Sequence, residues 1–259
     1  MLYENNKKYL IVSGDSFTDK NMRSAAYPDM DTSWPKWPEL LGKKLNMEVI
    51  NLAYSGSGNE YIFSTLQDCV MDIPKERIGL VVAAWSQAQR RDFQTGYKNG
   101  TRSWGQERVD SCGDLIYFTR RSLRYFLAFQ HMCERYNLPY FQTQMIDLYK
   151  DYIDGLAPTE REVVIEGKDL FKDGMTYPGD KKRDEEELIQ LILSYENKID
   201  TSKFIGWPIT RTLGGWPVNR GVIGWSVEQE APYVIDEHDN HPNAAGQELI
   251  AEYFYDWLG

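Results

Sequence analysis

The sequence predicts an α/β protein: a parallel β-sheet covered by helices. Two observations carry this expectation. From Tyr9 to Trp85, short apolar runs of strand character alternate with segments of helical period in the order β-α-β-α-β. A chain of 259 residues, 42% of them hydrophobic, is also long enough to bury a core without disulfide or metal staples. Parallel neighbours need a crossover connection, and a helix is the usual one.

Taken in order, residues 9–13 read as a buried strand, 37–45 as a helix, 48–51 as a short strand, 59–73 as a helix and 78–85 as a strongly apolar strand. A long helix is expected over 113–136, with Phe118, Ser122, Tyr125, Phe126, Phe129 and Cys133 on one stripe, ended by Asn137-Leu138-Pro139. Residues 140–145 read as the next strand. A closing helix is expected to start at Pro242, in whose first turn a missing N–H costs nothing, with Ala245, Leu249, Ile250, Tyr253, Phe254 and Trp257 on one face. Two stretches, about 86–112 and 146–235, break the alternation. The first is polar and contains glycine; the second holds an acidic helical segment, 184–198, and a Gly/Trp/Pro-rich run with Gly-Trp-Pro at 206 and again at 215. Neither has a linker's composition, so the expectation is one domain over 1–259 with long inserted loops.

Charge excludes several partners. Lys and Arg total 29 against 39 Asp and Glu, a net charge of -10, which opposes binding to a polyanion unless basic residues cluster. Arg90-Arg91, Arg120-Arg121 and Lys181-Lys182-Arg183 are short and lie among acids, so nucleic acid and anionic membranes are not expected partners. Cys69, Cys112 and Cys133 are widely spaced with no C-x-x-C pair and read as buried thiols, not as a disulfide framework or zinc site. The apolar run at residues 9–12 is too short for a signal peptide, and no stretch approaches a membrane span, which sets the expectation of a soluble chain, cytoplasmic or virion-associated. Aromatic residues make up 14%, including 8 Trp and 17 Tyr, which is high for a mean hydropathy of -0.55.

The most specific local signal is the apolar strand that runs into Gly14-Asp15-Ser16. A serine at the carboxyl end of the first strand of a parallel sheet stands where α/β proteins place ligands. Thr18 occupies the place of the second Gly in G-x-S-x-G, so this is not the nucleophile elbow of that pattern. The alternative is that Asp15-Ser16 merely turns the chain or caps a helix. A serine hydroxyl needs a base, and His held by a third group is the natural one. His131 falls within the long helix and reads as structural. His238 and His241 lie in Asp236-Glu237-His238-Asp239-Asn240-His241-Pro242-Asn243, where several carboxylates are near enough to orient an imidazole. A metal site is a weak reading, because no third His is close and no helical H-E-x-x-H spacing is present.

Gly-Asp-Ser on the first strand together with Asp-x-His-Pro-Asn near the C-terminus resembles the SGNH/GDSL hydrolase superfamily, phage-type or marine bacterial members in particular. The resemblance implies a flavodoxin-like three-layer α/β/α fold, a Ser nucleophile with a C-terminal Asp/His pair, and no cofactor or metal. It places Ser16 as the nucleophile, with its own N–H as an oxyanion donor, and His241 as the base. Asn51-Leu52-Ala53-Tyr54-Ser55-Gly56 looks like the family's Asn-x-x-x-Ser-Gly block and makes Gly56 the second donor. Two blocks depart from the family pattern. Trp85-Ser86-Gln87-Ala88 stands in place of Gly-x-Asn-Asp, so Gln87 takes the position of the oxyanion Asn, with Asn59 or Arg90 as alternatives. His238 stands three before His241, so the acid's role passes to Asp239 or to Asp236.

The resulting expectation is a serine esterase that removes an acyl group, acetyl from a carbohydrate being the favoured case. Its rival is a non-catalytic carbohydrate-binding or virion-structural protein on the same scaffold. Trp207, Trp216 and Trp225 are candidates to stack on sugar rings, with Asn59 and Arg90 as further candidate substrate contacts; the alternative is that these aromatic residues pack the insertion onto the domain. The negative charge favours a neutral ester, small or glycan-borne, over a polyanionic polymer.

Overall fold

The computed structural model describes residues 7–94, 103–108, 115–148, 164–165, 168–169, 181–210, 213–223, 233–236 and 238–259. The elements are β1 (Tyr9–Ser13), α1 (Trp37–Lys44), β2 (Glu48–Asn51), α2 (Asn59–Asp72), β3 (Ile78–Trp85), β4 (Arg90–Gln94), β5 (Trp104–Arg108), α3 (Leu115–Tyr136), β6 (Tyr140–Gln144), β7 (Val164–Ile165), β8 (Lys168–Asp169), α4 (Lys181–Leu193), β9 (Phe204–Ile205), α5 (Val218–Gly221) and α6 (Ala244–Leu258). Five of the strands form one sheet in the order β2-β1-β3-β6-β9, every pairing parallel. Counted along the chain this is the 2-1-3-4-5 order of flavodoxin-like folds, whose direction of winding reverses between β1 and β3.

Strand alternation divides the core into two layers. Leu10, Val12, Leu80, Val82 and Ala84 face one side with Trp37 and Leu41 of α1 and Ile250, Ala251 and Phe254 of α6. Ile11, Val81, Ala83 and Trp85 face the other, against Ile62 and Leu66 of α2, Phe126 and Phe129 of α3 and Ile192 of α4. All eight residues of β3 are buried, as its place in the middle of a sheet covered on both faces requires. Aromatic pairs fill both layers: Trp85 lies 4.7 Å from Phe126, and Trp37 meets Phe254 edge-on at 4.9 Å.

Several boundaries differ from expectation for identifiable reasons. The last helix starts at Ala244, not Pro242, because Asn243 is the N-cap, its side chain accepting from Gly246 N at 3.0 Å, while Pro242 bridges to Val234. The acidic helix ends at Leu193, where Tyr195 N and Glu196 N bond three residues back and tighten the chain into turns. Asn137 closes α3 at φ 53 with Leu138 N bonded to Cys133 O at 2.9 Å, the arrangement the Asn-Leu-Pro stop foreshadows. The expected start of α3 at Gly113 lies outside the described residues. The stretch read as a polar loop over 86–112 contains an antiparallel hairpin, β4 with β5. The fifth sheet strand, β9, has two residues and no readable period. Of the cysteines, Cys133 is buried, Cys69 is half-buried and Cys112 is outside the described residues.

Candidate active site

The site lies at the carboxyl edge of the sheet beside the β1/β3 crossover. After β1 the chain turns at Gly14, where a Cβ would come within 2.6 Å of Thr18 Oγ1 and 3.0 Å of the Ala84 Cβ; glycine lets the turn lie against β3. Asp15 organises that turn. Its carbonyl accepts from Thr18 N and Asp19 N, both at 2.9 Å, and its Oδ1 accepts from Phe17 N at 3.0 Å, an N-cap for a single turn. Asp15 is fully buried while Ser16, the next residue, is partly exposed.

The C-terminal loop meets this turn. Ser16 Oγ lies 2.8 Å from His241 Nε2, and His241 Nδ1 lies 2.5 Å from Asp239 Oδ1. With the Nδ1 proton directed to Asp239, Nε2 presents its lone pair to the serine hydroxyl. The Phe17 ring lies 5.0 Å from the His241 ring, centroid to centroid, tilted by 44°. Asp239 is 5% exposed, and that burial disfavours its charge; hydrogen bonds from His241 and Ser24 outweigh it and hold the carboxyl at about 2.

Asp236, the other candidate acid, has a different task. Its Oδ1 accepts from His238 N at 2.8 Å and Asp239 N at 2.9 Å, which folds the loop, and its Oδ2 accepts from Tyr27 Oη. The Tyr27 hydroxyl keeps this carboxyl below the usual range. Ser24 and Tyr27, both on the segment between β1 and α1, thus hold Asp239 and Asp236 from the far side. Neither is legible in the sequence, since the segment has no period and the contacts span 215 and 209 positions. Gln247 adds a third tie, accepting from Trp37 N at 2.8 Å and donating to Phe17 O at 3.3 Å.

The loop after β2 makes a turn over Tyr54 to Ser57, with Ser57 N bonded to Tyr54 O at 3.1 Å and Gly56 at φ 87. Positive φ at the third residue is what a type II turn demands. On either side of Gly56, Ser55 N bonds Asp19 Oδ2 at 2.9 Å and Ser57 Oγ bonds Gly14 O at 2.8 Å. The N–H groups of Gly56 and Ser16 have no partner among the described residues. Gly56→Ala is expected to cost roughly 1–2 kcal/mol of stability, the penalty of forcing a side chain into the left-handed region, and to lower turnover by displacing that N–H; equilibrium unfolding and kcat, measured together, check both.

The other sequence candidates divide. Gln87 is 6% exposed, and its Oε1 is buried without a partner among the described residues. Asn59 is 1% exposed and committed: Oδ1 accepts from Ser86 N at 2.8 Å and Nδ2 donates to Ser122 Oγ at 2.9 Å, so it ties α2 to the end of β3 and is no substrate contact. Arg90 is likewise turned inward, 3.2 Å from Asp15 Oδ2. Trp207 packs on Phe204 at 5.2 Å and Trp216 on Tyr253 at 5.5 Å, each partly buried against a core layer, the packing alternative to a sugar platform. Trp225 lies outside the described residues. Among the described residues an aromatic side chain open beside the site is Tyr54, 52% exposed and two residues from Gly56, backed by Tyr61 at 6.2 Å, which meets Trp104 at 5.2 Å. His238 is exposed, and among the described residues no group of three His, Cys, Asp or Glu side chains is placed to hold a metal. No helix among them is long and apolar enough to cross a membrane.

No protein-family model matches the chain, and no curated protein sequence does. Solved structures do match along nearly its whole length. TesA superposes with a TM-score of 0.50 at 14% identity, covering 97% of this chain and 98% of its own. The acetyl xylan esterase AlAXEase gives 0.48 at 12%, covering 97% and 100%. A member of the lipolytic protein G-D-S-L family from Veillonella parvula DSM 2008 gives 0.45 at 13%, covering 96% and 97%. At these identities the likeness is one of fold.

Proposed function

We propose that this chain, which has the three-layer α/β/α fold of the SGNH/GDSL hydrolases, is a serine ester hydrolase working through Ser16, His241 and Asp239. The observation that carries the reading is the unbroken hydrogen-bonded line from the Ser16 hydroxyl through His241 to a buried, ionised carboxylate, beside two N–H groups with no partner among the described residues. Ser16 Oγ attacks the ester carbonyl carbon as its proton passes to His241 Nε2. The oxyanion forms against the N–H groups of Ser16 and Gly56, with the Gln87 amide as third donor. His241 then gives the proton to the departing alkoxide, leaving an acyl-serine. Water, deprotonated by His241, attacks that acyl carbon, releases the acid and restores the serine. Asp239 stays ionised throughout, fixing the tautomer and stabilising the imidazolium.

The favoured substrate is an acetyl ester carried on a neutral carbohydrate. Tyr54 supports it: a flat aromatic ring at the edge of the Gly56 turn, braced from behind, is suited to the face of a sugar ring. The net charge of -10 supports a neutral glycan over a polyanionic one. A panel of soluble acetylated glycans beside a small acetyl ester tests the reading. The expected result is that wild type hydrolyses both and Tyr54→Ala loses glycan hydrolysis while keeping the small ester. Equal losses on both, or none, would remove the sugar from the proposal, and a wild type inert on every ester would remove the esterase.

A further inference from the structure

We infer that Arg90 is a positioning residue: its guanidinium fastens together the three strand-end loops that carry Ser16, Gly56 and Gln87, and through Asp15 it sets the geometry of the Ser16 turn. The inference rests on the reading of Ser16 as nucleophile. Nη1 of Arg90, with two protons shared among three acceptors, lies 3.2 Å from Asp15 Oδ2, 3.0 Å from Ser57 O and 2.8 Å from Ser86 Oγ. Those acceptors belong to the loops after β1, β2 and β3, and each is the immediate chain neighbour of one of the three proposed oxyanion donors. Ser86 Oγ closes the network by donating to the same Asp15 oxygen at 3.0 Å.

Both charges are buried, the Arg90 side chain 10% and the Asp15 side chain 0% exposed. Removing two ions from water is costly, and such a pair often stabilises a fold no better than apolar residues of the same volume. Its directional bonds do fix where the three loops stand relative to one another. A rigid planar donor suits that task better than a flexible ammonium.

The remainder of β4 is anchored to match. Asp92, two residues on, accepts from Gly58 N at 2.8 Å and Tyr61 N at 2.9 Å, capping α2, whose own N-cap residue makes no side-chain bond. From α3, Arg121 Nη2 donates to the carbonyls of Ala88 and Arg90 at 2.7 and 2.5 Å, holding the β3–β4 connection. The inserted hairpin therefore buttresses the site from beneath.

The test compares wild type, Arg90→Met and Arg90→Lys on a small acetyl ester, with active enzyme counted by fluorophosphonate labelling carried to completion. Arg90→Met is expected to lower kcat per labelled site by about 10- to 100-fold with KM little changed, the scale of loss from a misplacement of about 1 Å. Arg90→Lys should recover part of it, because an ammonium keeps the charge but not the rigid, planar placement of the donor. If the Met variant fails to fold around an unpaired Asp15, the pair Arg90→Met with Asp15→Asn removes both charges and is expected to show the same loss. A merely structural role leaves fewer labelled molecules, each with the kcat of wild type, and that result would overturn the inference. Failure of the underlying reading is distinguishable: wild type itself would hydrolyse no ester and take no label at Ser16.

Discussion

Ser16→Ala is expected to lower kcat for a small acetyl ester by on the order of 10⁵- to 10⁶-fold, the loss seen when a serine hydrolase is deprived of its nucleophile, while the fold is kept. Ser16 is partly exposed at the tip of a turn that Asp15 builds, and the bonds made by the Asp15 carboxylate and carbonyl do not involve the serine hydroxyl. The substitution removes one hydrogen bond to His241 and leaves Gly14, Asp15 and the β1 register untouched. Stability should thus stay within about 0.5 kcal/mol of wild type. Residual acceleration over water would come from binding and the oxyanion donors. Circular dichroism and a denaturant titration of the variant, beside its initial rates, separate loss of chemistry from loss of fold.

Asp239→Asn comes second in size, with an expected drop of roughly 10⁴-fold in kcat. An amide at 239 that continues to accept from Ser24 turns its NH₂ toward His241 Nδ1, which favours the tautomer with its proton on Nε2, where it can no longer take one from Ser16. The control is Asp236→Asn. Asparagine keeps an oxygen for the His238 and Asp239 N–H groups, so the loop should hold its shape and kcat should stay near that of wild type. Steady-state rates of the two variants side by side decide which carboxylate orients the base. A large loss at Asp236 with little at Asp239 would reverse the assignment.

These effects trace back to unequal legibility along the chain. α2 and the long α3 announce themselves because each buries a face with a single period, and β1 and β3, buried on both faces, read as continuous apolar runs. The hairpin β4–β5 escaped such reading because Arg90, Arg91, Asp92 and Gln94 are polar, with Arg90 and Asp92 buried through partners contributed by the β1, β2 and β3 loops and by α2. A polar residue buried by pairing leaves no hydropathic trace. The same holds at the site. Ser16, His241 and Asp239 were legible because two short blocks at opposite ends of the sequence carry a recognisable order. Ser24 and Tyr27 act through contacts 215 and 209 positions away, and Arg90 joins loops 4, 33 and 75 positions away, so no local pattern marks them.

The tryptophans teach the converse lesson. Gly-Trp-Pro repeats near the base read naturally as a sugar platform, yet Gly221 lies so close to Trp216 that a Cβ there would come within 2.3 Å of the ring, while Gly206 lies against the Trp216 backbone carbonyl, where a Cβ would come within 2.0 Å. Gly221 makes room for a ring packed on one face. Exposure distinguishes Tyr54 from the Gly-Trp-Pro tryptophans, and exposure is a property of the fold.

The most direct test of Ser16 as an activated nucleophile is covalent. Wild-type protein incubated with a fluorophosphonate should gain a single phosphonyl adduct that peptide mass spectrometry maps to Ser16, with no adduct in Ser16→Ala and much slower labelling in His241→Gln. Folded wild type that takes no label, or takes it on another residue, would contradict the assignment.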